Sequence, residues 1–227
     1  MRERIVVRKH ERINYSKNTF YTLLHTHHDK DNYIDYHWHN SIEITYVVKG
    51  LKVQCMEDEK IIAPTGTLLL VNSGVIHDID VKNGLEGIVL LIDRDYIDSI
   101  CPKCKDHGFC LKTNLDASKE IIDYLFKLVT AHEKNNLLDA HIIVLKIIKI
   151  LAEKLIVDGF YIKEKHDDES YELVISIIKY INQHYQQKIT LDKLALITNY
   201  NKSYLSNIFK KKTGITIFEY LRNVRLE

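Results

Sequence analysis

His37-Trp38-His39-Asn40-Ser41-Ile42-Glu43 is the stretch on which the N-terminal half turns. Side chains alternate faces along an extended strand, so His37, His39 and Glu43 share one parity and point the same way. A returning strand that carries His77 would add a fourth group to that face. Three imidazoles and a carboxylate suit a divalent transition metal such as Zn, Mn, Fe, Co or Ni. The alternative for the same four residues is a small-molecule pocket without a metal. Trp38 has the opposite parity and is expected outside the pocket, with Tyr46 and Gln54 near it.

Around this stretch the first ~95 residues read as short strands, rich in Val, Ile, Tyr and Thr. The candidates are 5–8, 20–26, 42–49, 51–56, 67–71, 76–81 and 87–92. Turn residues separate them at Lys49-Gly50, Ala63-Pro64-Thr65-Gly66, Asn72-Ser73-Gly74 and Lys82-Asn83-Gly84. Strands at this spacing, with no helical pattern between them, predict an antiparallel sandwich or barrel over residues 1–110.

After Cys110 the period becomes helical. Residues 116–132 place Ile121, Ile122, Leu125, Leu128 and Val129 on one face, and 138–157 is apolar around nearly its whole circumference. The expectation for 111–162 is a helical hairpin that packs on the barrel and either offers a homodimer seam or is buried entirely within one chain. Within Cys101-Pro102-Lys103-Cys104-Lys105-Asp106-His107-Gly108-Phe109-Cys110, the residues Cys101, Cys104, His107 and Cys110 recur at every third position. That spacing leaves open a Cys3His zinc knot, a loop of reduced thiols or a redox sensor.

The charged stretch 163–170 is the expected linker, and 171–227 is read as four helices over 171–185, 190–198, 202–212 and 217–226. Thr190 caps the second, and only Asn199-Tyr200-Asn201 separates it from the third, a helix-turn-helix arrangement. On the third helix Tyr204, Leu205, Ile208 and Phe209 are expected inside. Ser203, Ser206 and Asn207 then face outward for base edges, with Lys202, Lys210 and Lys211 placed for phosphates. Residues 188–227 hold eight Lys and Arg against three Asp and Glu, which suits DNA as a partner.

Leu194-Ala195, Tyr204-Leu205-Ser206, Phe209-Lys210-Lys211, Gly214, Phe218, Tyr220-Leu221 and Arg225-Leu226 resemble the first helix-turn-helix of the AraC/XylS family of transcription regulators. The resemblance implies DNA binding, with base contacts at Ser203, Ser206 and Asn207. Asn201 stands where that family usually has Ser. Family members carry two such motifs, and this sequence stops at Glu227 inside the expected connecting helix. The resemblance therefore implies a shortened chain with weakened DNA affinity.

The N-terminal half resembles the cupin superfamily. His37-x-His39-x3-Glu43-x6-Gly50 follows its first motif, and Gly66-x5-Asn72-x-Gly74-x2-His77 its second, with Asn72 where Pro is usual. Together the two resemblances imply an α+β chain in which a cupin-like sensor barrel, often for sugars, precedes the DNA-reading helices. The expected function is a ligand-responsive transcription regulator that takes a small-molecule effector and is not an enzyme. The alternative is a cupin metalloenzyme, an isomerase or dioxygenase, with an accessory helical tail.

Composition agrees with a globular chain. The sequence has 227 residues, of which 45% are hydrophobic and 28% charged, with 8 Gly and 2 Pro, which excludes collagen-like and disordered classes. The apolar run 142–150 is interrupted by Lys146 and Lys149 and is far short of the roughly 20 residues that span a bilayer. The N-terminus lacks a signal-peptide pattern, so the expected location is the cytoplasm.

Overall fold

The computed structural model describes residues 9–15, 19–56, 59–105, 107–157, 169–213 and 215–226. The strand expected at 5–8 and most of the expected linker lie outside them. The chain divides into two compact units, Glu11–Glu164 and a second formed by Met1–His10 with Lys165–Glu227. The two-residue strand β1 (Lys9–His10) belongs to the second unit. Among the described residues no helix is long and apolar enough to cross a membrane.

The first unit is an antiparallel barrel built on two long strands. These are β4 (Ser41–Met56) and β7 (His77–Asp93), which pair along most of their length. β7 also pairs with β2 (Tyr21–His28) and β3 (Asn32–Trp38), and β4 with β5 (Glu59–Pro64) and β6 (Leu68–Val71). The expected turns at Lys49-Gly50 and Lys82-Gly84 are bulges within these strands, so each pair of predicted short strands is one continuous strand. Gly50 explains why. Its φ is +94°, and a Cβ there would lie 2.3 Å from the Gly84 carbonyl oxygen, so the two irregularities nest without breaking either strand.

Alternation along β4 assigns the two faces of the sheet. Ile42 and Ile44, with Ile88, Leu90 and Ile92 of β7, pack outward against two helices, α2 (Leu115–Glu133) and α3 (Leu137–Ile150). Their contribution to that core includes Ile121, Leu125, Leu128, Val144 and Ile147. Glu43 and Thr45 turn inward, and Val47, Ala63, Leu69, Val81 and Leu85 close one end of the interior. The helical hairpin turns at Asn135, which takes φ +52°, and Asn136 caps α3 by accepting from the Asp139 amide.

The helix expected to reach Val157 stops earlier. It widens into a π turn at Leu151–Leu155 and ends in strand β9 (Ile156–Val157), which pairs with β8 (Gly108–Phe109). The pairing captures a backbone that helix propensity alone would have continued. Between β7 and β8 lie α1 (Arg94–Ile100) and a short 3-10 turn at Pro102–Cys104.

In the second unit the helices are α4 (Glu169–His184), α5 (Leu191–Thr198), α6 (Lys202–Thr213) and α7 (Ile217–Leu226). Thr190 caps α5 by accepting from the Lys193 amide at 3.2 Å, and Asn201 caps α6 by accepting from the Tyr204 amide at 2.8 Å. Thr216 and Glu219 form a reciprocal capping box that starts α7. Arg225 then ties α7 back to the end of α4, donating to the Tyr185 and Gln187 carbonyls at 2.8 Å. Leu194, Leu205 and Phe209 are fully buried with Val174, Ile177 and Ile181 of α4.

Candidate functional site

His37 lies opposite His77 in the pairing of β3 with β7, and the Gly74 amide donates to the His39 carbonyl at 2.8 Å. The two sequence motifs are thereby folded onto each other. His37, His39 and His77 are all buried, and each offers a nitrogen within 4.8 Å of the others. Among the described residues this is the group of histidine, cysteine and acidic side chains arranged to hold a metal ion.

Hydrogen bonding fixes how the rings present themselves. Nδ1 of His37 faces the Asp35 carbonyl at 2.9 Å, Nδ1 of His39 the Ser41 carbonyl at 3.2 Å, and Nδ1 of His77 the Val75 carbonyl at 2.9 Å. A carbonyl only accepts, so each Nδ1 carries a proton, and in that tautomer each ring turns an Nε2 lone pair inward. Glu43 adds another acceptor, its Oε2 lying 3.2 Å from His39 Nε2 and 3.6 Å from His77 Nε2. Lone pairs that converge this way need a cation or an added proton between them. The donor set therefore fits a divalent transition metal.

Lys52 also reaches this carboxylate. Its ammonium, 2% exposed, lies 3.3 Å from Glu43 Oε1 and donates to Thr45 Oγ1 at 3.3 Å, and Thr45 donates to Glu43 Oε1 at 2.9 Å. Burial alone would push the Glu43 carboxyl up. The Lys52 charge outweighs it and holds the group well below the usual carboxylate range. Burial, then the neighbouring His77, lowers His37 to about 4, so its ring is neutral near pH 7. Glu11 Oε2 lies 3.4 Å from His37 Nε2.

Sequence parity missed Lys52 because β4 shifts register between Val47 and Lys49 and again at Gly50. Before the shifts odd positions face inward, and after them Lys52 and Gln54 do. Gln54 is fully buried, and neither its amide oxygen nor its nitrogen has a hydrogen-bond partner; His77 Nε2 is likewise without one. Tyr46 does not join them. It packs against the outer core, its ring 5.5 Å from that of Phe126.

Cys101, Cys104, His107 and Cys110 do not converge as zinc ligands. Cys101 and Cys104 are neighbours, but His107 is held by its Nδ1 to the Lys105 carbonyl, and the Cys110 amide donates to the Leu155 carbonyl beside β9. Strand pairing at Gly108–Phe109 carries Cys110 away from the turn that the other two share.

On α6, Leu205 and Phe209 face the core, while Lys202, Ser203, Asn207, Lys210 and Lys211 are exposed and Ser206 is half-buried. Lys202 pairs with Asp192 at 2.7 Å. Tyr204, expected inside, is 38% exposed and stacks on Tyr200 at 5.3 Å. One residue before Leu205, it sits about 100° around the helix from the buried stripe of Leu205, Phe209 and Thr213.

Comparison with known families accounts for both halves. The AraC-like ligand-binding domain matches residues 20–145, and the bacterial regulatory helix-turn-helix proteins of the AraC family match residues 181–222. The chain belongs to the AraC family. It is a transcription regulator with a ligand-binding domain and a DNA-binding helix-turn-helix. Its relatives include the uncharacterized HTH-type transcriptional regulator YdeC of Bacillus subtilis, 26% identical over 86% of this chain and 71% of its own length. The regulatory protein SoxS of Salmonella typhimurium is 33% identical over 24% of this chain and 51% of its own. A crystal structure of a cupin superfamily protein from Desulfitobacterium hafniense covers 36% of this AraC-family chain and 84% of that one, at 14% identity and a TM-score of 0.29.

Proposed function

We propose that the regulator admits a small polar effector, a sugar or similar polyol, into the barrel at His37, His39, Glu43 and His77, and reads its operator with α6. The observation that carries the reading is unmet hydrogen bonding among buried groups. Gln54 buries a donor and an acceptor without partners, and His77 presents a bare Nε2. Such groups are costly to leave unpaired, and a hydroxyl, which both donates and accepts, answers both kinds. Lys52 neutralises Glu43, so the interior favours an uncharged ligand.

A divalent transition metal would be held by His37, His39 and His77, with Glu43 alongside. It would supply a Lewis-acidic centre for effector oxygens. The residues themselves do the positioning. The three carbonyl bonds orient the imidazoles, and Val47, Leu69, Val81 and Leu85 exclude water from the far end.

In this reading residues 1–110 sense, 111–162 dimerise, 163–170 link and 171–227 bind DNA in the cytoplasm. Ser203, Ser206 and Asn207 approach base edges, while Lys202, Lys210 and Lys211 hold phosphates. The homodimer forms through α3, where Leu138 and Ile142 are exposed one helical turn apart.

The test is ligand-dependent thermal shift across sugars and divalent metals, on the wild type and on His37→Ala/His39→Ala. An effector at a hundredfold over its Kd stabilises the folded state by about 2.7 kcal/mol. That shift should vanish in the double variant. A shift that survives unchanged would place the pocket elsewhere.

A further inference from the structure

Outside the barrel interior, the loop after α1 holds a pair of thiols that neither ligand binding nor DNA reading uses. Cys101 is the C-cap of α1, and Cys104 ends the 3-10 turn that begins at Pro102. The Cys104 amide donates to the Cys101 carbonyl at 2.8 Å, closing the turn, and Pro102 fixes φ at its first position. The turn puts both side chains on one side. Their sulfurs lie 3.0 Å apart, roughly 1 Å beyond disulfide bonding distance, and both thiols are free.

The two sulfurs have different surroundings. Cys104 is fully buried, and burial, then the adjacent Cys101, pushes its thiol up to about 12. It therefore keeps its proton and donates it to Cys101 Sγ. Cys101 is half-buried in a groove it shares with Ile100, Lys103, Leu145 and Lys149. Cys101 Sγ accepts that hydrogen bond, and the groove gives an oxidant access to it. Arg94, 2% exposed, anchors the loop. It donates to the Cys104 and His107 carbonyls and pairs with Asp98 at 2.9 Å.

We propose that Cys101 and Cys104 form a reversible redox site, in which a hydroperoxide oxidises Cys101 and Cys104 closes the disulfide. The Cys101 thiolate attacks one peroxide oxygen and the O–O bond breaks. Cys101 becomes a sulfenic acid, and the departing oxygen takes up a proton and leaves as water or an alcohol. Cys104 sulfur then attacks Cys101 sulfur, the S–O bond breaks, and the hydroxyl leaves as water with the Cys104 proton. Two thiols lose two electrons and two protons in all, and the peroxide is reduced. A dithiol reductant reverses the bond by exchange. Because intracellular thiols are normally kept reduced, the disulfide forms only under oxidant, which makes the loop a second input beside the barrel.

The test is a peptide map of the full chain after brief hydrogen peroxide treatment, with free thiols alkylated under denaturing conditions. Trypsin cuts after Lys103, so the two cysteines stay together only through a disulfide. The expected result is a Cys101–Cys104 linked peptide that dithiothreitol abolishes, with Cys55 and Cys110 alkylated throughout. In Cys104→Ser, dimedone should label Cys101; in Cys101→Ser, the loop should give neither label nor link. The wild-type map needs no variant, so a folding defect in Cys104→Ser leaves the test intact. Both cysteines found alkylated after peroxide, or a link made instead to Cys55 or Cys110, would overturn the proposal.

Discussion

Lys52 Nζ and Glu43 Oε1 lie 3.3 Å apart inside the barrel, while the other oxygen of the same carboxylate lies 3.2 Å from His39 Nε2. One carboxylate is thus divided between a fixed cation and a cluster of imidazole lone pairs. Lys52→Met removes the cation and leaves Glu43 buried without its main partner. The expected loss is about 3–5 kcal/mol of unfolding free energy by urea titration. Adding Glu43→Gln should recover much of it, since the uncompensated charge goes too. Metal affinity measured by competition with a chromophoric chelator should rise in Lys52→Met, because both carboxylate oxygens become available to the histidine cluster.

His37 supplies a pH dependence. Its folded value of about 4 lies below the unfolded value of ~6.5, so the folded chain refuses a proton that the unfolded chain accepts. The contribution is full above about pH 6.5, falls between 6.5 and 4, and is constant below. The gap corresponds to about 3 kcal/mol at most. Chelator-treated protein should lose stability across that window, and His37→Asn should flatten the slope there. An identical slope in the variant would assign the titration to another group.

On α6, Asn207 is exposed and central to the outward sector, so Asn207→Ala should cost about 1–3 kcal/mol on a cognate duplex and relax specificity at one base position. Lys210→Ala and Lys211→Ala should weaken all duplexes alike, each reducing the salt slope by about 1. Duplexes selected from a random library by the wild-type chain, compared by fluorescence anisotropy at several salt concentrations, separate the two effects.

Leu138 is 72% and Ile142 42% exposed on α3. Replacing either with Glu adds a charge to that face without touching the core. Sedimentation equilibrium should show a monomer with an unchanged melting temperature. A dimer that survives both substitutions would remove α3 as the seam.

The helices of the second unit were legible because their signals are local. Apolar spacing and the caps at Thr190 and Asn201 place α5, α6 and α7 within about a residue of their observed ends. Tyr204 escaped because a count of apolar residues does not mark where a stripe ends. In the barrel the histidines and Glu43 were legible as a group though not as one strand, since the strand breaks between Trp38 and Ser41 and puts His37 on β3 and Glu43 on β4. Lys52 was not legible. Its inward aim follows from bulges that form only where Gly50 meets Gly84, a contact between residues far apart in sequence. The same contact turned two expected hairpins into two long strands. β3 and β5 were missed because most of their residues are solvent-exposed and carry no alternating pattern.

Asn72 stands where cupin sequences usually have Pro, and its amide donates to the Phe109 carbonyl and accepts from the Phe109 amide, both at 2.9 Å. Phe109 in turn pairs with Ile156, one residue short of where β9 ends. The segment bearing His77 and the final ribbon of the sensing unit are therefore stitched into one mechanical piece. A change in the backbone five residues before His77 therefore has a direct hydrogen-bonded route to the last strand described in this unit.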